Sequence, residues 1–501
     1  MAIPSLSLSS GLLSSLSSGR NTLFDLQRQL ATGKLSETYG GLSSGSRITV
    51  LSLRAEISST NAFQTNIRDV NLRLDVVQQT LSRFTGIAAD TKAGAVASPF
   101  DLIDGQHTAF QRNTGAYFDE MLSLLNSNVN GSYLFAGRKS DAPPVQPTNL
   151  ILNGDGTRAG LIQLMNERTA ADKGAAGLGR LAISAPAPDT VRLSEEAIGL
   201  PFGFKLAGAT GNLNNVTITG PAGAPPDLDI QFGTPLPAPG QTINILLNLP
   251  DGSQETMQFK ASSTTPLKPR EFAIGADAAT TAASFQAALQ TELARQADTT
   301  LAAASAVVAS GDFFSGSPTN PPQRVSGPPF DTATAMVAGT AANTVVWYQG
   351  DDSAVPARQG ALARIDDQLV VAHGTRADEE AMRHTLQYLG AVSATVYSSS
   401  DPNAADRYEA LNLRAVRALS FPASVQSFQD ITTELATVQS TLESTSERHK
   451  TANILSEKLI SEREDADIQE VGAAILTLRT RLDASMATTS IIAKLSLVNF
   501  I

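Results

Sequence analysis

The sequence predicts a multidomain α+β protein. Both chain ends form long helices that pair as an antiparallel coiled-coil rod, and a mixed, mostly-β insert separates them. Three observations point there: where the prolines fall, how the apolar residues repeat, and how strand-like runs alternate with turns in the middle. Residues 5–98 contain no proline and Pro99 stands alone; of the 25 prolines, 21 lie between Pro143 and Pro356, and none follows Pro422. Proline inside a helix costs about 3 kcal/mol. Its absence over the outer stretches permits long helices there, and the proline-rich middle reads as something else.

The first element is a Ser/Leu helix in which Leu12, Leu16, Leu23, Leu26 and Leu30 keep one register. After the Gly/Ser-rich turn near Gly40, apolar residues recur at Phe63, Ile67, Val70, Leu74, Val77, Leu81, Phe84 and Ala88, alternating steps of four and three. That alternation is the a/d seam of a coiled coil. A helix over 46–98 would be roughly 80 Å long at 1.5 Å per residue. A shorter seam follows Asp104-Gly105 through Phe110, Tyr117, Met121 and Leu124. On the C-terminal side, Phe428, Ile431, Leu435, Val438 and Leu442 form another, continued by Ala452 and Leu459. The last runs Ile468, Val471, Ile475, Leu478 and Leu482, before an apolar tail with Leu495 and Leu497. His449 falls on a seam position, where a packed or rim histidine is expected.

Between the seams the period changes. Val216-Thr217-Ile218 and Leu228-Asp229-Ile230 read as strands. Residues 242–249 and 255–259 flank Pro250-Asp251-Gly252 as a hairpin would, and 283–296 have helical composition. The predicted organisation is an assembly helix over 1–42, the N-terminal half of the rod over 43–145, and a variable insert of one or two small domains over 146–400. The C-terminal half of the rod follows over 401–462, and a second assembly helix over 463–501.

Composition narrows the functional classes. At 501 residues the chain has length for about three domains. A net charge of −11 supplies no basic field for nucleic acid or anionic lipid, so neither is expected as a partner. With no cysteine there are no disulfides, thiolate metal sites or cysteine nucleophiles. No apolar run approaches the ~18–20 residues of a membrane helix. Residues 1–19 carry no charge and interleave leucine with serine, unlike a Sec-type signal; export, if it occurs, takes another route.

Motifs for chemistry fail on inspection, and neither a catalytic group, a metal nor a cofactor is expected. The four histidines, His107, His373, His384 and His449, have no metal-ligand spacing. Gly41-Leu42-Ser43-Ser44-Gly45 matches the nucleophile-elbow pattern, but polar Thr38-Tyr39-Gly40 precedes it where an apolar strand is required. It reads as a hinge between helices. Residues 131–140 (GSYLFAGRKS) have five residues between glycines and Arg138 before Lys139, so the phosphate-loop pattern is not met.

Glu464-Asp465-Ala466-Asp467, the helix through Leu482-Asp483-Ala484-Ser485 and the ending Leu495-Ser496-Leu497-Val498-Asn499-Phe500-Ile501 resemble the carboxyl end of bacterial flagellins. Residues 23–33 (LFDLQRQLATG) are similar to that superfamily's first helix. Within the superfamily, Tyr133-Leu134-Phe135-Ala136-Gly137-Arg138-Lys139 before Pro143-Pro144 is similar to the hook–filament junction branch, the hook-associated proteins. So are Val345-Val346-Trp347-Tyr348-Gln349-Gly350-Asp351-Asp352 and the stretch from Ala372-His373-Gly374 to Glu379-Glu380-Ala381. Leu42-Ser43-Ser44-Gly45-Ser46-Arg47 stands where flagellins carry D-D-A-A-G-L, which disfavours the filament subunit.

The resemblance implies export through the flagellar type III apparatus to an extracellular position, a cytoplasmic export chaperone, and self-assembly into a ring or helical array. The neighbours would be another hook-associated protein or flagellin. It assigns assembly contacts to Leu12, Leu16, Leu23, Leu26, Leu30, Ile468, Val471, Ile475, Leu478, Leu482, Leu495 and Leu497. Filament flagellin is the close alternative. The rival from another class is a secreted enzyme on a flagellin-like rod; it would need an H-E-x-x-H motif, which is missing, or rest on Ser43 alone.

Overall fold

The computed structural model describes the backbone of residues 5–498 and the side chains of residues 11 and 14–491. The chain mixes helix and strand. Its helices are α1 (Ser5–Thr32), α2 (Ser44–Ala97), α3 (Ala109–Leu125), α4 (Thr148–Asn153), α5 (Leu161–Lys173), α6 (Ala278–Gln296), α7 (Ala302–Ser315), α8 (Glu380–Ala394), α9 (Ala404–Ala418), α10 (Phe428–Glu464) and α11 (Ile468–Val498). Contacts divide the chain into two compact units. One comprises Met1–Asp69, Arg364–Val370 and Ser440–Ile501; the other comprises Val70–Ala363 and Val371–Gln439. Both α2 and α10 belong partly to each.

In the terminal unit, α1 closes on Gly33, whose φ of +68° and N–H to the Gln29 carbonyl form a left-handed stop. Ser43 caps α2, its hydroxyl oxygen accepting from the Ser46 N–H at 3.2 Å. The opening of α2 runs antiparallel to the end of α10. Arg54 bonds Glu464, Asn61 meets Asn453 at 3.0 Å, and Phe63 stacks on His449 with ring centroids 5.8 Å apart. His449 is buried, and its Nε2 donates to the Ile365 carbonyl at 2.8 Å.

The larger unit holds most of the core. Val70, Leu74, Val77, Leu81 and Phe84 on α2 are buried, as are Phe428, Ile431 and Leu435 on α10; Val438 is half-buried. Phe84 lies 5.6 Å from Phe428, and Gln78 donates to Gln439 at 2.9 Å, so the two helices run antiparallel here too. In the terminal unit Ile67 and Leu442 are buried and Phe63 is half-buried. The expected continuation at Leu459 is displaced. Leu459 is exposed, and Ser456, Ile460 and Glu464 face inward instead. A straight helix drifts by about 20° per heptad against a strict seven-residue repeat, and here the inward positions move to successive steps of four.

Two four-stranded sheets build the insert. One has strand order Glu271–Ala273, Gln254–Ser262, Thr242–Asn248, Lys205–Gly211; the other Leu181–Ala187, Thr190–Glu195, Asp227–Phe232, Val216–Ala222. All neighbours are antiparallel except Glu271–Ala273, which pairs parallel. The 242–262 hairpin turns where expected, with Gly252 at φ +79°. Inward residues of both sheets share one core with Phe285, Leu289 and Leu293 of α6. Phe232, Phe259 and Phe272 each lie within 5.3–5.5 Å of the Phe285 ring.

The insert is not mostly β. Helices α5 to α8 give it about as much helix as strand, and a π-helical turn, Ala297–Leu301, joins α6 to α7. Helix α6 covers the 283–296 stretch read as helical, but α7 was missed because its sequence (AAASAVVASGDFFS) is buried nearly all round. A helix surrounded by protein has no polar face and leaves no 3.6-residue signature.

Candidate assembly surface

The terminal unit brings the two chain ends together. The half-buried face of α1 carries Leu16, Gly19, Leu23 and Leu26. At Gly19 the helices approach closely, since a Cβ there would sit 2.8 Å from Leu482 Cδ2. Val471 and Leu482 of α11 are buried, and Ile475 and Leu478 half-buried. Leu12, Leu495 and Leu497 lie outside the residues whose side chains are described.

A second set of apolar residues remains in solvent. Phe24 and Leu476 are each 68% exposed, Ile468 and Ile491 each 58%. Leu30, Met486, Ile48 and Leu51 are also exposed, as are Ile454, Leu455 and Leu459 on α10. Singly exposed leucines need no account; these exposed residues lie on the four helices of the terminal unit.

The turn between α1 and α2 is fastened to the turn between α10 and α11, and each residue of Glu464-Asp465-Ala466-Asp467 has a task. Glu464 accepts from Arg54 at 2.8 and 3.0 Å. Asp465 pairs with Lys34 at 2.5 Å, and the hydrogen bond between them holds the Asp465 carboxyl below its ordinary range and the Lys34 ammonium above its own. Ala466, buried, donates its N–H to the Gly33 carbonyl at 2.9 Å, while the Leu35 N–H bonds the Glu464 carbonyl at 2.7 Å. Asp467 caps α11 by accepting from the Gln469 N–H at 2.9 Å. Lys34 and Arg54 were not singled out from sequence, because partners some four hundred residues away leave no spacing to read.

The segments of the larger unit that carried the junction likeness also meet. Ala136 bridges Arg376, Val145 bridges Tyr348, and the Asp351 N–H donates to the Ala136 carbonyl at 3.0 Å. Trp347 is buried, its indole N–H on the Phe314 carbonyl at 2.9 Å. Asn130 and Gly131, at φ of 54° and 79°, form the tight turn that opens the 131–140 stretch. Arg138 is engaged by Asp351 at 3.0 Å and Lys139 by the Gly350 carbonyl at 3.0 Å, so this stretch is a packed loop. Ser43 donates its hydroxyl to Ser46 at 2.9 Å and has no imidazole partner. Among the described residues no cluster of three or more His, Asp or Glu could hold a metal ion, and no helix is long and apolar enough to cross a membrane. No protein-family model matches the sequence, and a search of curated proteins returns no match.

Proposed function

We propose that the chain is a structural subunit of the bacterial flagellum, exported by the type III route and placed outside the cell where hook meets filament. The observation that carries the reading is the pairing of α1 with α11 inside one unit that leaves a second set of large apolar side chains exposed. A chain whose two ends meet and present leucine, isoleucine and phenylalanine to solvent has a surface suited to stacking on copies of itself or on neighbouring axial subunits. Each such side chain buried on assembly contributes about 1.5–3 kcal/mol, enough in sum to offset the entropy of ordering the termini.

In this reading α2 and α10 form an antiparallel coiled-coil rod, and the insert supplies lateral contacts. The assigned task of every residue in Glu464-Asp465-Ala466-Asp467 supports it, since that segment carries the flagellin likeness. The export chaperone would cover these exposed side chains before assembly. Quantitative mass spectrometry of sheared flagella tests the proposal. A trace of this chain relative to the main filament subunit, confined to hook-proximal pieces, is the expected result. Abundance equal to the filament's would make it a flagellin, and absence from the flagellum would overturn the reading.

A further inference from the structure

The larger unit contains a cavity of about 170 Å³ between α2, the 132–140 loop and the 360–375 segment. Its lining is chemically lopsided. In a chain with 48 acidic and 37 basic residues, the walls carry Arg73, Arg138 and His373 and no carboxylate. Thr375 spends its hydroxyl on the Leu134 carbonyl at 2.7 Å, and Arg138 is held by Asp351 and Ser353. The Arg73 guanidinium and the hydroxyls of Ser132, Tyr133 and Ser140 make no side-chain hydrogen bond with other residues of the structure, and the His373 ring bonds only its own backbone. His373 is only 8% exposed.

We propose that this cavity binds a small tetrahedral oxyanion of the size of sulfate or phosphate, with Arg73 as the charge partner and His373 and the three hydroxyls as further donors. The donors come from three chain segments around the space, which suits an acceptor presenting oxygens in several directions better than a planar carboxylate. The volume admits such an ion. Charge-assisted hydrogen bonds to the guanidinium carry most of the affinity. The inference does not depend on the flagellar reading.

Binding also sets a pH dependence. Burial and the neighbouring Arg73 charge hold the His373 ring below the ordinary histidine value, so the empty site carries it neutral at pH 7. The charged and titratable groups facing it are Arg73 from α2 and Tyr133 and Arg138 from the loop. An oxyanion favours the protonated ring, so binding takes up a proton and tightens as pH falls.

Calorimetric titration of the full chain with sodium sulfate at fixed ionic strength tests this, since sulfate keeps its charge across pH 5–8. One saturable site, several-fold tighter at pH 5.5 than at pH 8, is expected. Arg73→Gln should weaken it by about tenfold or more, and Lys92→Gln, on the same helix outside the cavity, should not. Independently of any variant, the His373 ring signals of the wild-type protein should shift with sulfate while those of His107 do not. No saturable binding up to roughly 50 mM, where a millimolar site would be filled, would overturn the proposal. So would sulfate binding that survives Arg73→Gln, an unmoved His373, or acetate binding as tightly as sulfate.

Discussion

The two units of this chain bury different things. The larger unit closes on aromatic and aliphatic side chains: Phe84 and Phe428 between α2 and α10, Phe232, Phe259, Phe272 and Phe285 inside the insert, and Trp347 beneath its loop. Along α2 and α10 the terminal unit buries Thr60, Thr445, His449, Ser456 and Glu464 among Val50, Ile67, Leu442 and Ile460, while Phe24, Ile48, Ile454, Leu476 and Ile491 face solvent. The largest fully buried side chains all belong to the larger unit. The terminal unit combines hydrogen bonds and ion pairs with its apolar contacts and leaves large apolar side chains of α1 and α11 in solvent. The location of exposed apolar residues, rather than their number, separates a self-sufficient domain from an assembly module.

That contrast can be broken by substitution. The largest effect is expected at Phe285, fully buried between three other rings: Phe285→Ala should cost about 3–5 kcal/mol in the unfolding transition of the larger unit, measured by chemical denaturation. A loss below ~1 kcal/mol would mean that the aromatic cluster does not seal this core. Leu435→Ala, on α10, should cost about 2–4 kcal/mol by the same measurement. In the terminal unit, Glu464→Gln removes the charged partner of Arg54 and should cost about 1–2 kcal/mol. An effect as large as that at Phe285 would erase the distinction between the units.

A smaller, pH-dependent effect sharpens it. Asp465 is lowered in the folded state by Lys34, so its contribution is present above its unfolded value near 3.8 and is lost as pH falls through the lower folded value. The partly exposed pair is worth less than ~1 kcal/mol. Asp465→Asn should therefore lower stability slightly at pH 7, and the gap from wild type should close below about pH 4. Unfolding curves between pH 3 and 7 would show this, and a gap that widened on acidification would reverse the assignment. The smallest effect on folding is expected at Phe24: Phe24→Ser should stay within about 0.5 kcal/mol of wild type, because the ring packs against little within the chain.

What the sequence made legible follows from which interactions are local. Proline spacing and the step of three and four along α2 report helix directly, and the burial of Ile67 through Phe84 follows that step. The 242–262 hairpin was readable because Pro250-Asp251-Gly252 has turn chemistry of its own. Helix α7 was not, because alanine and serine packed on every side carry no period. Ile460 was missed for Leu459 because helical drift accumulates beyond the residues that set the register. The partners of Glu464 and Asp465 and the donors around Arg73 were invisible because the fold, not the spacing, brings them together.

The central claim is that the uncovered apolar residues of α1 and α11 are contact surface, and sedimentation velocity of the full chain tests it most directly. Wild-type protein should form concentration-dependent assemblies. A variant carrying Phe24→Ser, Leu476→Ser and Ile491→Ser should sediment as a monomer with an unchanged circular dichroism spectrum. A variant that assembles as wild type does, or a wild-type chain that stays monomeric at every concentration, would contradict the account.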